Sequence, residues 1–327
     1  MKLLKLVYSI AFGFALAPFA GAMIASVNGT AGHNTDPTKD FQGNAPSEDI
    51  TEIWNRTVTF NNGTGTYLGK NAQGDYLFLT AYHVSSTQYF HSPCIVSTGE
   101  TFSDLTITST TYRLTNNDTN KTGTDLSIVV LSAENKTAEF LNSFKENIQI
   151  YTGELYDKYT VQDKTYLRNQ ETLYLVGTGK SLSLETGSGV TKGNREKQWA
   201  QFQADGDWID DSGNAIFVEA FSKNDKSLQA GEQDSGSGAF IFNSKTQAWE
   251  IAGVAVNVGS NVKGASDVGY IENSTIETPK VCYTVFMDLS KYASQINAIM
   301  AIPEPSVFGL LAGIFALGFA GTRRKRK

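Results

Sequence analysis

Short apolar runs recur along the middle of the chain and are separated by turns rich in Gly, Asn, Asp, Ser and Thr. Runs of this length and composition predict β-strands. Six lie in the first half, at 56–60, 65–70, 76–84, 105–114, 126–132 and 148–153. Six more follow the polar stretch 154–171, at 172–182, 199–205, 215–222, 238–243, 249–258 and 281–289. The pattern predicts an all-β protein.

A different periodicity follows the last predicted strand. The apolar residues of 289–300 recur at steps of three and four, which puts them on one face of a helix. They are Leu289, Tyr292, Ala293, Ile296, Ile299 and Met300. Asp288 or Ser290 can cap the start of this helix. We therefore expect the all-β body to be closed by a C-terminal α-helix at 289–300.

The N-terminal end has the layout of an export signal. Two lysines precede an apolar segment at 6–19, and small residues at 20–22 provide a cleavage site. This arrangement predicts a signal peptide at 1–22 that signal peptidase removes, with a buried first helix as the alternative. Residues 23–50 are rich in Asn, Thr, Asp, Gly and Pro and predict a flexible leader.

The C-terminal end carries a second predicted sorting signal. An apolar stretch at 307–321 is followed directly by a cluster of Arg and Lys, which predicts a transmembrane segment whose basic end stays cytoplasmic. Together with Pro303, Glu304 and Pro305, it resembles the PEP-CTERM sorting signal of Gram-negative bacteria, over residues 303–327. The resemblance implies transient anchoring in the inner membrane. An exosortase would then remove the tail and deliver the protein to the outer envelope or extracellular matrix. A plain C-terminal membrane anchor is the alternative.

Composition narrows the classes of partner. The chain has 327 residues, 40% of them hydrophobic, and a formal net charge of -6. An acidic chain lacks the basic surface that nucleic acid requires, so we expect no nucleic-acid partner. Cys94 and Cys282 have no metal-ligand spacing, so we expect neither a metal site nor a cofactor. The two cysteines form one disulfide or remain two buried thiols.

The segment GEQDSGSGAF holds Ser235 among small residues, as a turn or as a loop that presents a nucleophile. A serine nucleophile needs a general base, usually His, and an acid that orients the base. His33 lies in the leader and His91 follows a polar turn, whereas His83 ends a predicted apolar strand. Asp125 precedes a predicted buried strand, where a carboxylate is costly unless it is paired. Each of these residues alone also fits a structural role.

The three segments LTAYHV, GTDLSIVVLS and QDSGSGAFIF come in the order His, Asp, Ser. They resemble the sequence blocks around the catalytic residues of the trypsin-like (chymotrypsin-fold) serine peptidases. The segments WEIAGVAVNVG and VFMDLSKYASQINAIM are similar to that family's pocket wall and to its closing strand and helix. The resemblance runs from about residue 54 to 300, within an expected peptidase domain at 51–302. It implies two six-stranded antiparallel β-barrels, at about 54–155 and 170–288, with the active site between them.

The resemblance also implies a function: an exported serine endopeptidase that cleaves protein or peptide substrates through an acyl-enzyme. His83 would be the general base, Asp125 its orienting acid and Ser235 the nucleophile. The backbone N–H groups of Gln233 and Ser235 would form the oxyanion hole, although the family usually has Gly where Gln233 stands. The alternative is a catalytically inactive protein of the same fold that serves as a binding or structural component of the envelope or matrix.

Four residues stand at positions that resemble those of the substrate-pocket residues in the family. Gln229 matches the pocket floor, and Val256, Asn257 and Val258 stand where the family usually has Ser-Trp-Gly. Because valine at 258 narrows the pocket, we expect small or medium uncharged substrate side chains.

Activation raises a separate question about Asp234. In many family members the matching Asp pairs with a new N-terminal amine after a leader is cut off. No persuasive cleavage site of that type precedes His83. A Lys or Arg partner for Asp234, or a different activation, are the alternatives.

Overall fold

The computed structural model describes residues 24–27, 30–32, 34–60, 63–85, 95–96, 109–115, 123–131, 146–161, 164–168, 170–182, 191–204, 206–210, 213–219, 226–231, 233–260 and 282–301. The predicted signal peptide, the segment 307–321 and the motif Pro303-Glu304-Pro305 lie outside these residues, as do His33, His91 and Cys94. Within the described part of the chain, no helix has both the length and the apolar character needed to cross a membrane.

The described residues are mostly β-sheet with few helices, which confirms the all-β class. The strands are β1 (Ile24–Val27), β2 (Thr30–Gly32), β3 (Thr57–Phe60), β4 (Gly63–Lys70), β5 (Tyr76–Ala81), β6 (Ile95–Val96), β7 (Ser109–Thr115), β8 (Gly123–Leu131), β9 (Gln149–Ile150), β10 (Asp157–Val161), β11 (Lys164–Arg168), β12 (Leu173–Gly177), β13 (Lys180–Leu182), β14 (Thr191–Arg195), β15 (Gln198–Phe202), β16 (Gly206–Asp210), β17 (Gly213–Glu219), β18 (Lys226–Gln229), β19 (Gly238–Asn243), β20 (Ala248–Ser260) and β21 (Cys282–Asp288). The helices are α1 (Thr51–Arg56), α2 (Tyr82–Ser85), a 3₁₀ helix (Leu289–Lys291) and α3 (Ala293–Met300).

The first sheet has six strands in the order β6-β3-β4-β5-β8-β7. Successive side chains of β5 enter two different cores: Leu77 and Leu79 belong to one cluster, and Tyr76 and Phe78 to another. This is the period of two that a strand buried on both faces produces. The strand predicted at 76–84 ends earlier, at Ala81, where the chain turns into α2.

The second sheet has eight strands, in the order β15-β12-β19-β20-β21-β17-β16 with β9 beside β20. The strand β16 was not predicted, because it lies in a polar segment. The strand predicted at 148–153 is observed as the short β9, and it pairs with β20 of the second sheet instead of joining the first sheet. Among the described residues, the pairings leave both sheets open. The expected pair of closed six-stranded barrels therefore remains a prediction.

One buried apolar cluster joins the two sheets. It includes Leu79 and Ile128 from the first sheet, Phe240 and Val254 from the second, and Ile296 of α3, each fully buried. Burying a side chain of this size contributes about 1.5–3 kcal/mol. The two sheets and the C-terminal helix therefore pack around one shared apolar core.

The segment expected to be a flexible leader makes specific contacts with the second sheet. β1 and β2 form a separate three-stranded sheet with β18. The contact with the second sheet includes the indole N–H of Trp199, which donates to the carbonyl of Asp36 at 2.8 Å. The indole N–H of Trp249 donates to the carbonyl of Asp49 at 3.1 Å. A buried indole requires an acceptor, and the leader backbone supplies one to each of these tryptophans.

Lys197 links α1 to the second sheet. Its ammonium donates to the carbonyls of Trp54, at 2.5 Å, and Thr57, at 2.8 Å, at the C-terminal end of α1. The same nitrogen lies 5.3 Å from the centre of the Trp54 ring. Burial lowers the pKa of Lys197 to about 7.

The free energy of unfolding should rise with pH from about 7 to 10.5 more steeply in the wild type than in Lys197→Met. The native pKa of Lys197 is about 7, against an ordinary value of 10.5. Between these values the unfolded chain binds more protons than the native protein, so stability is gained as pH rises and lost as it falls. Urea unfolding at several pH values measures this, with the exposed Lys245→Met as the control. Equal slopes for wild type and Lys197→Met would contradict the assignment.

Candidate active site

His83 and Asp125 are in direct contact at two points. The backbone N–H of His83 donates to Asp125 Oδ1 at 2.9 Å, and His83 Nδ1 lies 2.7 Å from Asp125 Oδ2. Because an ionised carboxylate only accepts, the proton of a neutral imidazole lies on Nδ1 and leaves Nε2 as the basic nitrogen. The side chain of His83 is 49% exposed and that of Asp125 is 27% exposed. The imidazole is therefore held in one orientation and is accessible from solvent.

Strand pairing brings these two residues together across 42 positions of sequence. β5 pairs antiparallel with β8, and Ala81 is opposite Leu126. His83 follows β5 by two residues in α2, while Asp125 lies next to that register pair in β8. A hydrogen bond of 2.7 Å between the hydroxyls of Ser85 and Ser127 ties α2 to β8 and supports this placement.

Ser235, the predicted nucleophile, lies in a tight turn between β18 and β19, which we call the nucleophile turn (231–237) after that prediction. The N–H of Gly236 donates to the carbonyl of Ala255 at 2.7 Å, so the turn is fixed to β20. The carbonyl of Ser235 accepts the N–H of Thr64 at 2.8 Å, so the turn is also fixed to β4 of the first sheet.

Gly63 lies where the segments of His83 and Ser235 approach each other. A Cβ atom at Gly63 would be 2.6 Å from the side chain of Val84, the neighbour of His83, and 2.7 Å from the carbonyl oxygen of Ser235. No side chain fits between such close groups. The structure therefore brings His83 and Asp125 into contact, and it places the Ser235 backbone and the segment that carries His83 next to the same residue, Gly63.

Gln233 has a backbone conformation that favours glycine. Its φ angle is +70°, in the left-handed region where a β-carbon is strained. This is the residue that stands where the trypsin-like family usually has Gly. The chain therefore keeps a glycine-like turn at 233 despite carrying a side chain there.

Gly236 has no room for a side chain. Its φ angle is +91°, and a Cβ atom would be 1.9 Å from the carbonyl oxygen of Thr64 and 2.2 Å from Thr80 Oγ1. The close approach of the turn to β4 and β5 therefore requires glycine at this position.

Asp234 is 1% exposed and accepts hydrogen bonds from the backbone. Its carboxylate receives the N–H of Gly179 at 2.9 Å and the N–H of Gly231 at 3.1 Å. Neither bond involves a cationic side chain or a chain terminus. The local sequence does not indicate this arrangement, because Gly179 is 55 positions away.

The four predicted pocket residues lie on β18 and β20. Val256 is the extra residue of a bulge in the pairing of β20 with β21, and it is half-buried, whereas Asn257 is exposed. Val258 is opposite Thr284, and the hydroxyl of Thr284 accepts the N–H of Ala230, the residue after Gln229. The backbones at 229 and 258 therefore flank the same residue of β21, and their role in a pocket remains a prediction.

Three residues that were not predicted as part of the site lie close to it. Thr64 donates its hydroxyl to the carbonyl of Gln233 at 2.8 Å and lies 2.8 Å from the hydroxyl of Thr178. Arg195 donates to that same Thr178 hydroxyl at 3.0 Å. The repeat Gly-Thr-Gly-Thr at 63–66 marks a chain segment of close approach, but nothing near Arg195 in sequence points to the site.

No family model matches the chain, and no curated protein matches it either. Among solved structures, it is similar to the passenger domain of Plasmid encoded toxin, an autotransporter enterotoxin from enteroaggregative Escherichia coli. The two are 16% identical, with a TM-score of 0.44 over 78% of this chain. This chain spans 23% of the length of that structure.

Two substitutions of Gln233 should distinguish backbone strain at this residue from contacts that its side chain makes. Gln233→Gly removes a left-handed penalty of about 1–2 kcal/mol. It adds unfolded-state freedom that costs roughly 0.5–1 kcal/mol, so stability should stay at or slightly above that of the wild type. Gln233→Val should lose about 1–3 kcal/mol, because a β-branched residue is an outlier in this region. Urea unfolding curves measure both variants.

The chain offers a matched control for this prediction. Gln247 has a φ angle of +54° and lies exposed in the turn between β19 and β20. The same two substitutions at 247 should change stability in the same directions without altering the nucleophile turn. Equal stability of Gln233→Gly and Gln233→Val would show that residue 233 is not strained.

Proposed function

We propose that this protein is a serine endopeptidase similar to the trypsin-like family, with His83, Asp125 and Ser235 as its catalytic residues. The observation that carries the proposal is the two-point contact between His83 and Asp125. A carboxylate that holds both the backbone N–H and ring Nδ1 of one histidine fixes the imidazole in the tautomer that a general base needs. The contact of the Ser235 carbonyl with β4 supports the placement of the nucleophile at the same edge.

In the proposed reaction, the Ser235 hydroxyl attacks the carbonyl carbon of a peptide bond and its proton passes to Nε2 of His83. Asp125 stabilises the imidazolium that forms, without taking the proton itself. His83 then donates this proton to the leaving amine, and the acyl group stays on Ser235. Water, activated by His83, attacks the acyl-enzyme and restores the serine.

The developing oxyanion is proposed to bind the backbone N–H groups of Gln233 and Ser235. Loss of one such donor reduces turnover by about 10²–10³-fold. The left-handed φ of Gln233 supports this role, because the glycine of the family is used where such angles are needed.

The proposal extends to the fold and the destination. The six-stranded and eight-stranded sheets would form the cores of two barrels around residues 54–155 and 170–288, with the site between them. The segment 1–22 would direct export from a Gram-negative bacterium, and an exosortase would process 303–327 for the outer envelope or matrix. The substrate would be a protein or peptide, with small or medium uncharged side chains entering the pocket near Val258.

A fluorophosphonate probe tests the reaction class, because it phosphonylates an activated serine. The wild type should label, and Ser235→Ala and His83→Ala should lose labelling by at least about 10³-fold, as removal of a triad member does. Ser244→Ala, at an exposed turn, should label as the wild type does. Cleavage of a mixed peptide library should follow the same order.

Two outcomes would overturn the proposal. A correctly folded wild type that neither labels nor cleaves would leave a binding or structural protein as the function. Labelling that persists in Ser235→Ala would assign the nucleophile to another residue.

A further inference from the structure

The hydroxyl of Thr64 is buried at the boundary between the two sheets. Thr64 is 0% exposed and lies at the start of β4. Its hydroxyl donates to the carbonyl of Gln233 at 2.8 Å and accepts the N–H of Thr178 at 3.1 Å. It also lies 2.8 Å from the hydroxyl of Thr178. One side chain of the first sheet therefore contacts two segments associated with the second.

The proton positions in this cluster follow from which atoms can donate. The carbonyl of Gln233 only accepts, so the single proton of the Thr64 hydroxyl points to it. Thr178 must then donate its hydroxyl proton to Thr64, since Thr64 has no second proton to give. The Arg195 guanidinium, which only donates, supplies a proton to the Thr178 hydroxyl at 3.0 Å.

These bonds form a directed chain from Arg195 through Thr178 and Thr64 to the carbonyl of Gln233, and we call it the Thr64 relay. Bonds that share a direction polarise one another, and a charged donor at one end strengthens the whole chain. Every lone pair and proton of the Thr64 hydroxyl is used within the relay.

Arg195 is itself fixed by backbone groups from both sides of the boundary. Its guanidinium donates to the carbonyls of Phe60, at 2.5 Å, and Gly63 from the first sheet. It donates to the carbonyl of Thr178 at 2.8 Å. The charged end of the relay is therefore held by groups from both sides of the boundary when the two sheets are docked.

The relay ends on the residue with the strained backbone. The carbonyl that accepts from Thr64 belongs to Gln233, whose φ angle is +70°. A left-handed conformation of a non-glycine residue costs of order 1–3 kcal/mol and persists only where surrounding contacts hold it. The Thr64 hydroxyl donates a hydrogen bond to the Gln233 carbonyl. This bond opposes rotation of Gln233 out of the left-handed region.

We propose that Thr64 is a positioning residue, which holds Gln233 in the conformation that directs its backbone N–H to the oxyanion. The proposal rests on the proposed function. It assigns to a buried hydroxyl the task that the family's glycine performs through conformational freedom. Thr64 does not touch the reacting atoms and acts only through Gln233.

Thr66 provides a matched control on the same strand. It is also 0% exposed and lies two residues further along β4. Its hydroxyl is buried with no hydrogen-bond partner among the described residues. Thr66→Val therefore removes a hydroxyl from the same environment without breaking a bond, and the nucleophile turn should keep its conformation.

The test compares Thr64→Val, Thr64→Ser and Thr66→Val by crystal structure and by fluorophosphonate kinetics. In Thr64→Val, Gln233 should leave the left-handed region, and the maximal rate of phosphonylation should fall about 10–100-fold, up to the loss of one oxyanion donor. The probe concentration at half-maximal rate should change less than about threefold, because the pocket is untouched. Thr64→Ser should restore both the φ angle and the rate, and Thr66→Val should match the wild type.

The proposal is overturned if Gln233 stays left-handed and the maximal rate stays at the wild-type value in Thr64→Val. A rate loss that Thr64→Ser does not rescue would also overturn it, since the effect would then come from packing. If the wild type does not label at all, the proposed function fails, while the φ angle of Gln233 in Thr64→Val still decides the role of Thr64. Should Thr64→Val not fold, Thr64→Ala removes the same hydroxyl with a smaller side chain and is measured in the same way, with wild-type φ and rate again contradicting the proposal.

Discussion

The two hydrogen bonds from Thr64 to the nucleophile turn are the interaction on which the candidate site depends. Its N–H binds the carbonyl of Ser235 and its hydroxyl binds the carbonyl of Gln233, both at 2.8 Å. His83 lies in α2, directly after β5 of the first sheet, and Asp125 lies in β8 of that sheet. Ser235 and Gln233 precede β19 of the second sheet. Because Thr64 is fully buried, breaking these bonds costs more than it would in water. They therefore fix the positions of Ser235 and Gln233 relative to the first sheet.

Apolar packing and polar contacts contribute in different ways to the docking of the two sheets. The shared core around Leu79 and Phe240 supplies non-directional free energy, which brings the sheets together without fixing their register. Arg195 and Thr178 supply directional bonds that are satisfied in only one arrangement. Gly63 and Gly236 allow the close approach that these bonds need. The geometry at Ser235 is thus a consequence of how the two sheets dock.

Sequence patterns predicted those parts of the molecule whose signal is local. Burial repeats with the period of the element, so strands such as β19 and the helix α3 could be located, and short blocks marked His83, Asp125 and Ser235. The patterns did not predict the hairpin β10–β11, which lies within the polar stretch 154–171.

Contacts over long sequence distances could not be predicted in this way. Arg195 donates to the carbonyl of Phe60 across 135 positions of sequence, and Asp234 accepts the N–H of Gly179 across 55.

The most direct measurement is a crystal structure of the protein after reaction with a fluorophosphonate. The account predicts a phosphonyl group on Ser235, with one of its oxygens about 2.7–3.1 Å from the backbone nitrogens of Gln233 and Ser235. A phosphonyl group on another residue, or an oxygen that neither N–H binds, would contradict it.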